Sequence, residues 1–145
     1  MFTAPEQLLD YFTDVMSSNR GELGLNYVAY GDEDKLPRFP AVKVASGDLR
    51  RELHATRQFE NTFEVEFTVF HGNLNATHAQ RSKQDLELAS RIRTLFHSDM
   101  TLKGGVIQGW FVREGPGVFM RPKAPAVVTT RMVWRGITVE PFTMP

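Results

Sequence analysis

The sequence predicts an α+β domain: a mostly antiparallel sheet with two helices packed on one face, in the order α-β-β-β-α-β-β. Three stretches carry that prediction. Phe63-Glu-Val-Glu-Phe-Thr-Val alternates apolar and polar residues as far as Phe70, the period of a strand with one buried face. From Thr77 to His97, Leu86, Ala89, Ile92 and Phe96 recur at three- and four-residue intervals, widened by Leu88 and Leu95, while Lys83, Glu87, Ser90, Arg91 and Thr94 fall opposite. Val106-Ile-Gln-Gly-Trp-Phe-Val is a further apolar run of strand length. The core is then this helix laid on that sheet.

Length and composition bound what such a domain can be. A chain of 145 residues is the size of one ordinary domain, here taken as a single unit over residues 1–145. Seventeen basic residues balance seventeen acidic ones, so no net field draws the whole protein to nucleic acid or to an anionic membrane. Without cysteine there is no disulfide framework, thiolate metal site or thiol nucleophile. No run approaches bilayer length, and Glu6 and Asp10 stand where a signal peptide would be basic and then apolar, so a protein made in the cytosol is expected.

Taken in order, Thr3-Ala-Pro-Glu6 reads as a capping box with proline in the first turn. Leu8, Leu9, Phe12, Val15 and Met16 then make a helical stripe that Ser17 to Gly21 ends. Leu25 to Tyr30 reads as a strand, stopped by the charged turn Gly31-Asp-Glu-Asp-Lys. Pro37 and Pro40 lead into a short strand, Ala41 to Ala45, at a sheet edge or strand entry. Ser46-Gly47-Asp48 looks like a turn. Leu49 to His54 is compatible with a hairpin, but Arg57, Gln58, Glu60 and Asn61 show no buried face, so residues 46–61 are expected to form an exposed arm.

Phe63, Val65, Phe67 and Val69 should share the buried face of the third strand, leaving Glu64, Glu66 and Thr68 on the other. Thr77 followed by Gln80 is a second capping box and starts the long helix near His78. Arg113-Glu-Gly-Pro-Gly117 is a turn signal, so the strand through Trp110 should fold back there, and Arg121-Pro-Lys-Ala-Pro125 should break the returning chain. Val128, Thr130, Met132 and Trp134 alternate with Thr129, Arg131 and Arg135 in a last strand, followed by an irregular tail from Glu140 to Pro145. Phe59, Phe63, Phe67, Phe70, Trp110, Phe111, Phe119 and Trp134 exceed what one side of a small sheet can hide, which points to rings packed between chains.

The residues offer little reactive chemistry. His54, His71, His78 and His97 are scattered without the spacing of a zinc-binding helix. Asp32-Glu33-Asp34 is a charged turn without the burial that splits carboxylate pKa values. Gly104, Gly105 and Gly109 precede or lie in a strand and do not open a helix, so they form no phosphate cradle. No catalytic residue, cofactor or metal is expected. Arg81 and Asp85 point toward the side of the long helix that Leu88, Ala89 and Ile92 occupy, either as a wet overhang or as a polar pair facing a neighbouring subunit.

Tyr30-Gly-Asp-Glu-Asp-Lys-Leu-Pro-Arg-Phe-Pro-Ala-Val, Arg51-Glu-Leu, Glu60-Asn-Thr-Phe-Glu-Val, Phe70-His-Gly, Gly105-Val-Ile-Gln-Gly-Trp and Gly115-Pro-Gly117 together resemble the small tail-terminator or tail-completion proteins of long-tailed bacteriophages, over roughly Leu25 to Gly136. The resemblance implies a structural virion protein, not an enzyme. It implies a homo-oligomeric ring, commonly of six copies, that caps the tail tube and joins it to the head. Its partners would be the tail tube protein and the head-completion or connector proteins, and DNA would pass through without specific binding. It would reside at the tail–head junction, and in the host cytoplasm during assembly. A head-completion or connector subunit of the neck, or a small-molecule-binding or enzymatic α+β domain, are the alternatives. Interface residues expected on this basis are Arg50, Arg51, Glu52, Leu53, Arg57 and Phe59 of the arm, Glu64 and Glu66 of the polar sheet face, and Arg81 and Asp85 of the helix.

Overall fold

The computed structural model describes residues 1–31, 38–54, 57–71, 83–121 and 124–141, with the side chains of 54, 84, 85, 118–121 and 124–128 outside that description. Helix α1 (Pro5–Ser18) buries Leu8, Phe12, Thr13 and Met16. Its start is capped one residue later than Thr3 and Glu6 suggest: Ala4 is the capping position, and the Gln7 Oε1 accepts the backbone N–H groups of Thr3 and Ala4 at 2.8 and 3.3 Å. Glutamine at the third helical position reaches these donors, which Glu6, one residue earlier, is not placed to do. After Asn19 closes α1, a one-turn helix α2 (Arg20–Leu23) follows, ended by Gly24 at φ 78°. The expected order therefore gains one short helix.

Strand β1 (Tyr27–Tyr30) runs parallel to β2 (Ala41–His54), which pairs antiparallel with β3 (Gln58–Phe70). Helix α3 (Lys83–His97) leads to β4 (Gln108–Arg121), and β5 (Ala124–Pro141) inserts between β3 and β4. The sheet order is β1-β2-β3-β5-β4, antiparallel except at β1. The fold is thus α+β with a mostly antiparallel sheet and both long helices on one face. The capping box at Thr77 and Gln80 lies outside the described residues, as do His78 and the acidic run Asp32 to Asp34.

The core centres on Phe12, whose ring meets Phe67, Phe96 and Trp134 at 4.8–5.0 Å in edge-on contacts. Phe63, Val65, Phe67 and Val69 from β3, Val42 and Val44 from β2, Met132 and Trp134 from β5, and Leu88, Ala89, Ile92 and Phe96 from α3 complete it. The β3 register is as the alternation predicts. In α3, however, Leu86 is 44 % exposed, so the buried stripe is narrower at its start than the periodicity suggests.

Four local expectations fail for identifiable reasons. Ser46-Gly47-Asp48 is a bulge inside a continuous β2, between the pairs Ser46↔Val65 and Leu49↔Phe63. Arg113 to Gly117 makes no turn; β4 continues through it, with Pro116 opposite Thr130. An edge strand tolerates a residue without an N–H when that side faces away from the ladder, and β4 is an edge. The chain reverses instead at Arg121↔Ala124. Glu140 and Pro141 belong to β5, opposite Phe59 and Gln58, and the rest of the expected tail lies outside the described residues. Finally, the rings do not crowd one side. Phe63, Phe67 and Trp134 are buried on the helix side, and Phe70 is buried on the opposite face with Ala41, packed by Tyr27 and Phe39. Phe59, Trp110 and Phe111 are half-buried, and the Phe119 side chain lies outside the description. The aromatic load is therefore no argument for rings packed between chains.

Candidate assembly interface

Beyond the helix-covered core, the far halves of β2 and β3 and the end of β5 continue as a three-stranded ribbon. Across it run Leu49↔Phe63↔Gly136, Arg51↔Asn61↔Thr138 and Leu53↔Phe59↔Glu140. This is the expected arm, built as a hairpin stiffened by a third strand. It forms because the ladder between β3 and β5 extends beyond the apolar core, with Asn61 and Thr138 as its buried, polar side chains.

Alternation assigns each residue a face. On the helix side stand Leu49, Arg51 and Leu53 from β2. The Arg51 Nε donates to the Asn61 Oδ1 at 2.7 Å and lies 3.5 Å from the Glu140 carboxylate. The Asn61 amide in turn donates to the Thr138 hydroxyl at 3.3 Å, and Asn61 and Thr138 are fully buried. Leu49 and Leu53 flank this polar chain at 40 % and 62 % exposure. Exposed leucines beside an oriented, hydrogen-bonded arginine form a surface suited to burial against protein.

The opposite face is charged. Asp48, Arg50, Glu52, Glu60, Thr62, Glu64 and Arg135 line one shallow groove. Within it Arg135 donates to Glu64 at 2.8 Å, and further along the same face Arg131 lies 3.7 Å from Glu66. Glu64 and Glu66 are thus each paired with an arginine of β5 on an exposed face. Glu52 stands directly opposite Glu60, two like charges side by side. Arg57, at the hairpin tip, takes the left-handed conformation with φ 59° and is exposed. Phe59 is half-buried between Leu53 and Glu140. The structure therefore brings Arg50, Arg51, Glu52, Leu53, Arg57, Phe59 and Glu64 into one arm, with Glu66 just below it. Arg81 lies outside the described residues, and Asp85 is in α3 with its side chain outside them. Sequence reasoning missed Asn61, Arg131, Arg135, Thr138 and Glu140. Aligning the polar alternation of the β5 region against Glu64 and Glu66 was the available signal for the two arginines.

A second cleft lies between α1 and the α3–β4 loop, lined by Tyr11, Asp14, Ser98, Asp99 and Lys103 among others. The Asp99 carboxylate accepts the Thr101 hydroxyl at 2.7 Å and the N–H groups of Lys103 and Thr101 at 2.7 and 3.1 Å, which hold it below the usual carboxylate range. Those bonds occupy it in shaping the loop, where Leu102, Lys103 and Gly104 are successively left-handed. Burial raises the Tyr11 phenol, with the Asp99 charge adding to it. Burial, and then the nearby Arg93, lower His97, whose Nε2 accepts the Phe111 N–H at 3.0 Å. His71 is buried with its Nε2 2.8 Å from the Thr130 hydroxyl. Both histidines thus serve as internal ties. Among the described residues no cluster of His, Asp and Glu is spaced to hold a metal ion, and no helix is long and apolar enough to cross a membrane.

Fold and surface define a small α+β protein whose most distinctive exposed feature is a polar three-stranded arm. No family model matches the chain, and no curated protein matches it. Among solved structures, one without a functional name is similar over 93 % of this chain and 96 % of its own, at 15 % identity and a TM-score of 0.41, a likeness too low to bear on function.

Proposed function

We propose that this chain is a structural subunit of a long-tailed phage virion, a tail terminator that forms a ring, with six copies as the expected number, capping the tail tube where it meets the head. The single observation that supports it best is the arm. It reaches past the helix-covered core, carries Leu49 and Leu53 exposed around the bonded Arg51, and so offers a shaped surface that the isolated chain leaves uncovered. The resemblance of residues 25–136 to tail-terminator proteins supplies the class of assembly. In this reading the protein performs no chemistry. Its work is to present the arm and the charged sheet face to neighbouring copies, to the tube below and to the neck proteins above, while DNA passes without a specific grip. The balanced charge of the arm, with Glu52 and Glu60 among its arginines, suits a surface that does not hold phosphates.

Native mass spectrometry of the protein alone and with tail tube subunits, together with a search for it in purified virions, tests the proposal. Oligomers in either mixture and presence in virions are expected. A protein that stays monomeric in both mixtures and is missing from virions refutes the reading.

A further inference from the structure

Resting on the ring reading, we propose a specific seam between copies: the far edge of β2 in one subunit, Arg50 to Leu53, pairs antiparallel with the edge strand β4 of the next, Val112 to Gly115. Two strand edges are open at these places. β1 pairs only with Ala41 to Val44, so the far half of β2 has β3 on one side and no strand on the other among the described residues. At the opposite margin, β4 pairs with β5 alone. An open edge is a row of unpaired backbone donors and acceptors that another strand can complete.

Polarity allows the join. From β2 to β4 the sheet makes three antiparallel steps, so β2 and β4 point in opposite directions. A second copy that continues the sheet in the same sense therefore brings its β4 antiparallel to β2, with helix-covered face beside helix-covered face. That face match restricts the register. On β2, Arg51 is on the helix side and Glu52 on the charged side. On β4, Glu114, opposite Met132, is on the helix side and Arg113, opposite Val133, on the charged side. One register sets Glu52 against Arg113 on the charged side and Arg51 against Glu114 on the helix side, where Arg93 already pairs with Glu114 and Asn61 and Glu140 already hold Arg51, so the new charge pairing falls on Glu52 and Arg113. Shifting it by two residues one way places Arg50 against Arg113, and the other way leaves both β4 charges opposite Leu53 and His54. The same register ends the new ladder at Arg50 and Gly115, just before Pro116, which has no N–H to give a neighbour. It also brings a cation to Glu52, which within the chain faces Glu60. Neither Glu52 nor Arg113 has an ion pair among the described residues.

The stagger is that of a closing sheet. Arg113 lies level with Val133 and Glu66, whereas Glu52 lies level with Glu60, six residues along β3. At ~3.4 Å per residue that offset is roughly 20 Å, against roughly 19 Å for four strands at ~4.8 Å each. The strands then incline by about 45° to the direction of propagation, near the upper end of the tilt of about 35–45° found in closed sheets.

The chain contains no cysteine, so engineered thiols report this seam without background. Glu52→Cys combined with Arg113→Cys in one chain, oxidised gently at high protein concentration with or without tail tube subunits, should give a ladder of covalent oligomers on non-reducing gels. Lys43→Cys with Arg113→Cys, on the same face but away from the proposed register, should lose the ladder. A Glu52/Arg113 ladder that closes on a ring supports both the seam and the ring. A ladder of open chains without any ring supports the seam and overturns the ring reading. Rings by native mass spectrometry without this ladder leave the ring reading in place and overturn the seam. If tube subunits protect the Arg50–Leu53 amides from hydrogen exchange while no ladder forms, the edge belongs to the tube, and the seam is likewise overturned. Neither ladder nor ring in any mixture overturns both.

Discussion

Trp134 lies flat across two glycines, and that seat gives a sharp test of the core. Gly109 and Gly136 are cross-strand partners, and a Cβ built on them would fall 2.0 Å from Cζ2 and 2.1 Å from Cη2 of the indole. Side-chain atoms do not approach so closely, and the indole cannot retreat, because its other side meets Phe12 at a centroid distance of 4.9 Å. Gly136→Ala should therefore destabilise the protein by about 1–3 kcal/mol, the range for overpacking a tight core. That is a large part of a total stability of about 5–15 kcal/mol. Trp134→Phe removes the colliding half of the indole, along with an Nε1–H that has no partner among the described residues. Alone it should cost about 1–2 kcal/mol through the space it opens. In the double variant the clash has no partner, so the two effects should fall short of additivity by about 1–3 kcal/mol. Urea unfolding of the four proteins measures this, with the slope checked for constancy. Additivity to within about 0.5 kcal/mol would mean that the ring and the glycines do not touch as described.

Phe67→Asp should unfold the domain, because it places an unpaired charge at a fully buried site at a cost of several kcal/mol. Glu66→Ala, losing an exposed ion pair to Arg131, should cost no more than about 1 kcal/mol, and thermal melts that rank the pair the other way refute the β3 register. Because His97 sits below its ordinary pKa in the folded state, the unfolded chain binds its proton first, so its contribution to stability is whole above the ordinary histidine value and is lost as pH falls through the depressed one. The stability gap between the wild type and His97→Phe should accordingly narrow on mild acidification; a gap independent of pH contradicts the lowering of the His97 pKa by burial and Arg93. Amides of residues 49–61 should exchange faster in the free protein than in assembled tails, and equal rates in both states mean the arm docks on nothing.

How much of this was legible depended on whether burial wrote a period into the chain. The β3 strand and α3 announced themselves because Phe63, Val65, Phe67 and Val69, and Leu88, Ala89, Ile92 and Phe96, are buried on one side only. The far half of β2 has no buried face, so Arg50, Arg51 and Glu52 carried no strand signal. Its ladder with β3 is a backbone property invisible in side-chain periodicity. Gly115-Pro-Gly117 was misread because turn chemistry and edge-strand tolerance use the same residues, and only the position of β4 at the margin separates them. The candidate interface was legible as composition and not as geometry. The arm was visible as a polar stretch with two stray apolar residues, while the Arg51–Asn61–Thr138 chain required knowing that β5 runs beside β3.

The placement of β5 has a consequence for how the protein is made. It lies between β3 and β4, yet it is translated after both. Until residues 124–141 leave the ribosome, those two strands share no neighbour, and the ring cluster around Phe12 lacks its indole. The nascent chain must therefore hold Phe67, Phe96 and Phe111 without their final cover until its last strand is made, the condition in which chaperones engage a polypeptide. Closure then comes late and all at once, when one eighteen-residue strand threads the gap and completes two ladders together.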